Sequence, residues 1–379
     1  MVWEVPASGE RSDILKIICD SRDLVNAVNI ALRAVPSNTS MEVLKCILIT
    51  AESGGITITA NDMEIGLVTT LNGTVQDIGQ TLIEAKVLNE ISKKLPSGDV
   101  TISVGENRVA TIKSGRSKFE IPTRDPDEFT GLPNLESGQA ATVEQEYFRD
   151  AVLGTIFCAE QKNDTNPLMG GVKVEVANEA MTFTALDGHR IGFREIPARG
   201  ADGASTVLPA RSLNEVSKIL KDGEMTVEFT QNHVRFTIGE TEVVSRNIFG
   251  NYFNTDNILK QYAPNTVIHV DTDELLACIT RATVVIREGE KKPVVLDITD
   301  GRIGISARTT LGTVDEEIEI EKQGADIRIG MNPRFLIDAL RQVGQYDEEA
   351  EIRLIGPKAP VLITKDDAAY KYVVLPVNM

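Results

Sequence analysis

The chain has few of the residues that mark the common chemistries. Its 379 residues include four cysteines and three histidines. Cys19, Cys46, Cys158 and Cys278 lie far apart and form no CxxC pair, so neither a zinc site nor a disulfide framework is indicated. Such usage fits a reducing compartment, and the expected location is cytoplasmic. His189, His233 and His269 are too few and too scattered for a histidine-rich metal centre. No apolar run approaches the roughly 20 residues that span a bilayer, which excludes a transmembrane helix. The opening MVWEVPASGERSD lacks a basic segment followed by an apolar one, so it is not a secretory signal, and residues 1–10 read as a short extension. A nucleophile motif and a GxxxxGK[ST] phosphate loop are also missing. Neither an enzyme nor a cofactor is expected.

The formal charge is −17 and the pI about 4.8. Taken alone, this argues against nucleic acid, because duplex binding draws on Lys and Arg contacts to phosphates. Net charge is only a sum, however, and a basic stripe can sit inside an acidic shell. At 42% hydrophobic and 25% charged residues the chain reads as globular, and its length predicts two or three domains.

Three stretches each recur three times, in one order, with offsets of 122–127 residues. The first is helical in pattern: DSRDLVNAVNIALR at 20–33, EQEYFRDAVLGTIF at 144–157 and DTDELLACITRATV at 271–284. Leu24, Phe148 and Leu275 coincide, as do Val28, Val152 and Ile279, at i and i+4 of one face. Asp20 and Asp271 are placed as N-caps. The second stretch alternates with period two around a polar turn, at 47–60, 172–185 and 294–307, and reads as a β-hairpin. The third is a helix running into a strand, at 85–104, 210–229 and 333–355, aligned on Leu88, Leu213 and Leu336. The expectation is an α+β chain of three repeated domains at 11–130, 138–257 and 263–379, with joints near 122–138 and 246–265, which are rich in Pro, Gly and Asn.

Asp187-Gly188-His189-Arg190 could suggest acid–base chemistry, but it reads better as a tight turn after a strand. The counterpart in the first repeat, Asn61-Asp62-Met63-Glu64, looks one residue shorter and lacks histidine. Gly54-Gly55 sits in a hairpin turn, and Cys278 aligns with Ala27 and Ala151 as a small buried side chain. The apolar ending from Val373 to Met379 reads as a closing edge strand, as a wall of a peptide groove, or as both.

Ser114-Gly115-Arg116-Ser117-Lys118-Phe119, the turn from Asp187 to Ile191, and Tyr372-Val373-Val374-Leu375-Pro376 together resemble the bacterial β sliding clamp, the β subunit of DNA polymerase III. The resemblance covers nearly everything after the N-terminal extension. It implies three DNA-clamp domains, with helices lining a channel and antiparallel sheets outside. Head-to-tail dimerisation then closes a six-domain ring around duplex DNA. A clamp loader would open that ring, and polymerase and repair proteins would dock short linear peptides into a groove. Carried over by position, the groove comprises Leu168, Gly188, His189, Arg190, Ile191, Phe253, Asn257, Ile258, Asn332, Phe335 and the tail Val373, Val374, Leu375, Pro376, Val377, Asn378 and Met379. Phe253 and Asn257 stand where the family often has Pro and Arg, and Val-Asn-Met ends the chain where Met-Arg-Leu is familiar. By the same resemblance, Val284 and Val285 belong to the dimer interface.

Basic residues recur at matched positions of the second helix in all three repeats. Lys86, Arg211 and Arg334 stand two residues before the shared leucine, and Lys93, Lys218 and Arg341 five after it. A spacing of seven is two turns, so each pair is expected on one helical face, facing DNA phosphates in the channel. The competing reading is an acidic scaffold of three α+β repeats that binds no DNA. The threefold recurrence of these cations in an acidic chain speaks against it.

Overall fold

The computed structural model describes residues 14–160, 166–260, 262–287, 292–364 and 369–379; the N-terminal extension lies outside them. Among the described residues each repeat has nine strands and two α-helices in one order. The first runs β1 (Leu15–Asp20), α1 (Ser21–Ala31), β2 (Cys46–Glu52), β3 (Gly55–Asn61), β4 (Ile65–Leu71), β5 (Gly73–Asp77), β6 (Gly79–Glu84), α2 (Ala85–Ser92), β7 (Asp99–Val104), β8 (Val109–Ser114) and β9 (Ser117–Pro122). The second runs β10 (Gln139–Glu144), α3 (Gln145–Leu153), β11 (Gly171–Ala177), β12 (Ala180–Leu186), β13 (Arg190–Pro197), β14 (Arg199–Gly200), β15 (Ser205–Pro209), α4 (Ala210–Ser217), β16 (Glu224–Phe229), β17 (His233–Ile238) and β18 (Thr241–Arg246). After the connecting helix α5 (Asp256–Lys260), the third runs β19 (Thr266–Asp271), α6 (Thr272–Ala282), β20 (Val294–Thr299), β21 (Arg302–Thr309), β22 (Gly312–Glu319), β23 (Glu321–Gly324), β24 (Ile327–Met331), α7 (Pro333–Val343), β25 (Glu349–Leu354), β26 (Val361–Thr364) and β27 (Tyr370–Val374).

The local causes are those the pattern predicts. Asp20 caps α1 by accepting from the Arg22 amide at 2.8 Å, and Asp271 caps α6 through the Glu274 amide at 2.8 Å. Helix α1 buries Leu24, Ala27, Val28 and Ala31, and α6 buries the equivalent Leu275, Cys278, Ile279 and Ala282. The hairpins form where expected, and in the second one Asn178 and Glu179 both take positive φ (54° and 60°), the turn that suits strand twist.

The chain divides into two compact units that share the middle repeat. The first unit holds the sheet β5-β1-β7-β8-β9 and the nine-stranded sheet β14-β10-β16-β17-β18-β4-β3-β2-β6. The second holds the nine-stranded sheet β15-β11-β12-β13-β27-β26-β25-β19-β23 and the sheet β22-β21-β20-β24. All pairings are antiparallel among the described residues. Each nine-stranded sheet therefore runs from one repeat into the next without a break, through β18–β4 in the first unit and β13–β27 in the second.

Three expectations change. The tail does not form an edge strand: β27 is hydrogen-bonded by β13 on one side and β26 on the other, and Pro376 lies beyond it, where no ladder amide is needed. The second helices are also shorter than the repeat suggested. Lys93 is the C-cap of α2 and Lys218 follows the last residue of α4, so only Arg341 of the distal cations is inside its helix. Finally, a strand precedes the first helix of every repeat.

Phe148 is fully buried and meets Phe183 edge-on, centroids 5.2 Å apart at 83°. Phe148→Ala should destabilise the second unit by about 3–5 kcal/mol, the usual cost of deleting a buried aromatic ring. Urea unfolding followed by Trp-independent circular dichroism checks this, and an unchanged midpoint would contradict the packing described.

Candidate functional site

The turn before β13 is built by Asp187. Its Oδ1 accepts from the amides of His189 at 2.9 Å and Arg190 at 3.0 Å, which requires Gly188 in the left-handed region (φ +81°). The same turn stands before β4, where Asp62 Oδ1 accepts from Glu64 and Ile65 and Met63 takes φ +75°. Asp62-Met63-Glu64-Ile65 thus matches Asp187-Gly188-His189-Arg190 residue for residue, and the first-repeat turn is not shorter. Recurrence without histidine marks the turn as architecture.

The Asp187 carboxylate is further committed to Arg190. Its Oδ2 accepts from Arg190 Nε at 2.9 Å, while Nη1 donates to Asp338 at 2.6 Å and Nη2 to the Phe157 carbonyl at 2.5 Å. The guanidinium also lies 4.5 Å from the Phe335 ring centroid and 5.3 Å from that of Phe157. With a side chain only 13% exposed, Arg190 pins β13 to α7. Burial works against its charge, and the neighbouring Cys158 sulfur together with Asp338 and Asp187 more than offsets that, holding it above the ordinary arginine value. His189 is exposed and stacks on Phe335 with centroids 6.2 Å apart. Asp338, which the sequence pattern did not single out, is the residue that fixes Arg190.

The other positions expected to form the groove lie in the same unit. Leu168 sits on a short 3₁₀ turn capped by Asn166. Ile258 and Ile191 pack on the buried cluster of Leu259, Leu362 and Val373. Asn332 caps α7 by accepting from the Arg334 amide, and Phe335 in the first turn is half-buried. Phe253, held edge-on by Tyr252, is exposed, as is Asn257. Val373 and Val374 are buried and form a floor, whereas Leu375, Val377 and Met379 are 36, 37 and 67% exposed. The tail is tied down by the bonds from the Leu375 amide to the His189 carbonyl (2.8 Å) and from the Val377 amide to the Gly330 carbonyl (2.9 Å). A Cβ at Gly330 would stand 2.7 Å from the Val377 carbonyl oxygen, so only glycine lets the tail lie this close.

Lys86, Lys93, Arg211, Lys218, Arg334 and Arg341 are all exposed, opposite buried Leu88, Leu213 and Leu336. Arg211 and Lys218 are ion-paired within the chain. Arg211 is paired at 2.6 Å with Asp62, whose side chain is 2% exposed, and with Glu64 at 3.3 Å, while Lys218 is paired with Glu215 at 2.6 Å. Arg211 therefore also serves the turn of the first repeat. Val284 is 78% exposed in the middle of the 3₁₀ turn after α6, and its neighbour Val285 packs on the core.

Asp187→Ala removes two turn bonds and one partner of Arg190, and should cost about 2–3 kcal/mol. Asp187→Asn keeps the acceptor for the amides and should cost less. Equal losses in chemical unfolding would show that the charge alone matters and the turn bonds do not.

Family models for the N-terminal, central and C-terminal domains of the DNA polymerase III beta subunit match residues 15–134, 142–254 and 262–378. The chain is 32% identical over 370 residues to a beta sliding clamp of Halalkalibacterium halodurans, covering 93% of this chain and 96% of that one. It is 30% identical over 382 residues to one of Bacillus subtilis, covering 96% and 100%. Among solved structures, a putative DNA polymerase III beta subunit from Eubacterium rectale matches with a TM-score of 0.92 and 38% identity, over 96% of this chain and 99% of that one. The DNA polymerase sliding clamp from Bacillus subtilis matches with 0.91 and 29%, at the same coverage. Three domain models in order along one chain, on a fold that repeats three times, establish that the protein belongs to the DNA polymerase III beta subunit family, the bacterial β sliding clamps.

Proposed function

We propose that the protein is the processivity factor of a replicative DNA polymerase: a homodimeric, non-catalytic ring of domains 11–130, 138–257 and 263–379, twice over, that slides on duplex DNA. One observation carries the ring. The joint within each unit uses the same two strands in the same register. Ser245 faces Ile65 and Thr241 faces Thr69 across β18–β4, and Val374 faces Arg190 and Tyr370 faces Arg194 across β27–β13. Counted from the hairpin turns, the third such pair is β9 with β22, each an outer strand of its sheet.

Extending the register places Ser117 opposite Glu316, Phe119 opposite Val314 and Ile121 opposite Gly312 of a second copy. On both strands these are the half-buried positions, and Lys118 and Asp315, which would face each other, are exposed. Lys113, Arg116 and Lys118 border one edge, where Lys118 also pairs with Glu120, and Asp315 borders the other beside Glu316 and Glu317, which are paired within the chain with Arg281 and Arg302. Unlike ends that complement each other make a heterologous contact, and such contacts close into a ring when the rotation permits. Val284 stands beside the β22 edge as an exposed apolar residue of that interface.

Inside the ring, the six cations on and just after the second helices hold DNA by its phosphates without reading bases, often through water, so that contacts break and reform as the clamp slides. Clamp loader, polymerase and repair proteins supply short peptides to the groove around His189, Phe335 and Leu375. No described helix is long and apolar enough to cross a membrane. The acidic charge suits a protein that must not stick to DNA along its outer faces.

The dimer loaded on a nicked circle should stay bound at high salt and be released when the circle is cut, because the link is topological. Val284→Glu with Val285→Glu should give monomers that are not retained; retention by such a variant that sediments as a monomer would sink the ring.

Charge reversal at Lys93, Lys218 and Arg341 should impair loading and flatten the salt dependence of DNA contact while peptide binding persists. Deleting Val377 to Met379 should do the opposite, with polymerase peptide affinity falling by about 2 kcal/mol and loading unchanged. If both variants lose both properties, the two surfaces are not separate.

A further inference from the structure

The two intrachain joints are built on one plan but filled differently. In the second unit, Arg194 of β13 is 7% exposed and its guanidinium lies 4.5 Å from the Tyr346 ring centroid and 5.5 Å from that of Tyr370. Its stem crosses Gly154 at the end of α3, passing 3.2 Å from where a Cβ would sit, and Asp150 stands beside the Tyr346 hydroxyl. A cation, two rings and a carboxylate close this joint.

The first unit has none of these plugs. By register Arg194 becomes Thr69 and Tyr370 becomes Thr241, and by helix alignment Gly154 becomes Ile30. What remains is an open cleft of about 340 Å³ between α1, β4, the start of α3, the segment after α4 and the β17–β18 turn. Thr69 and Thr241 form its floor, hydrogen-bonded to each other at 2.7 Å. Ile30, Ile219 and Ile238 supply apolar wall, and Asp23, Asp222 and Glu240 stand around it with Lys221, a formal balance of −2 from three carboxylates and one lysine. None of the three carboxylates has an ion-pair partner among the described residues.

We propose that this cleft binds an alkylguanidinium cation, with the guanidinium where Arg194 lies in the second joint, carboxylates around it and the alkyl stem against the isoleucines. Two independent observations meet here: a cavity lined for a cation, and the same place in the same chain occupied by a guanidinium. Charge-assisted bonds to carboxylates supply the affinity, and the apolar wall selects a stem over a bare ion.

The test uses the intact dimer with labelled isoleucine δ1-methyls, titrated with agmatine and, separately, with butylurea, a neutral analogue. Agmatine should shift the Ile30, Ile219 and Ile238 methyls saturably, and butylurea should not. Asp23→Asn with Asp222→Asn and Glu240→Gln should weaken agmatine by about ten-fold or more, roughly 1.4 kcal/mol. Thr241→Tyr, which restores one plug without touching charge, should abolish the shifts. A Gly-Arg-Gly peptide that reproduces them assigns the site to arginine side chains of a partner; a silent peptide assigns it to free cations. Equal response to agmatine and butylurea, or undiminished binding in both variants, overturns the proposal and leaves the clamp reading untouched.

Discussion

The constraint on which the structure depends is the hydrogen-bonding demand of strand edges. A repeat of this kind leaves two outer strands with unpaired amides and carbonyls, an invitation to any other chain with an open edge. Within the chain the fold gives two of these edges to the next repeat, so that β4 takes β18 and β13 takes β27, while β9 and β22 stay outer strands. Backbone ladders of five residues make each joint, and a ladder fixes register as well as contact. The compact units consequently cut through the middle repeat, whose sheets belong to its neighbours as much as to itself.

Because the ladder is backbone, the side chains across it are free to differ. One joint is closed by a threonine pair and the other by an arginine between tyrosines. The outer strand β22 carries at the equivalent place an ion pair between Arg281 and Glu316, which holds the Glu316 carboxyl below its ordinary value. Within one chain, three copies of one architecture thus present three chemistries. Divergence of this sort lets a repeat protein keep its geometry while giving each joint its own task.

The proposed groove shows the same separation of scaffold from chemistry. The turn that shapes it is shared with the first repeat, down to the left-handed residue after the aspartate. What is added in the second repeat is His189 on the surface and Arg190 beneath it. Arg190, with two carboxylates, a carbonyl and two aromatic rings around it, has little left to offer a ligand and acts instead by holding α7 against β13.

Much of this was legible from residues alone, for a physical reason. Period and offset are local properties, so the three hairpins, the apolar helix faces, the Asp20 and Asp271 caps and the recurrent cations could be read without coordinates. The strands β1, β10 and β19 escaped notice because they abut helices and their alternation merges with the helical pattern. Position along the chain also suggested that the last strand was an edge, since nothing local says that β13, some 180 residues earlier, lies beside it. Asp338 could not be assigned to Arg190 for the same reason, nor Asp62 to Arg211: those pairs are 148 and 149 residues apart, and sequence carries no direct signal of such distance. The amino-acid pattern by itself determined the repeats and their elements, because these rest on neighbours in the chain. Only tertiary structure decided which edges meet, which charges are spent on architecture, and which joint is left open, because those depend on long-range pairing that local chemistry permits but does not select.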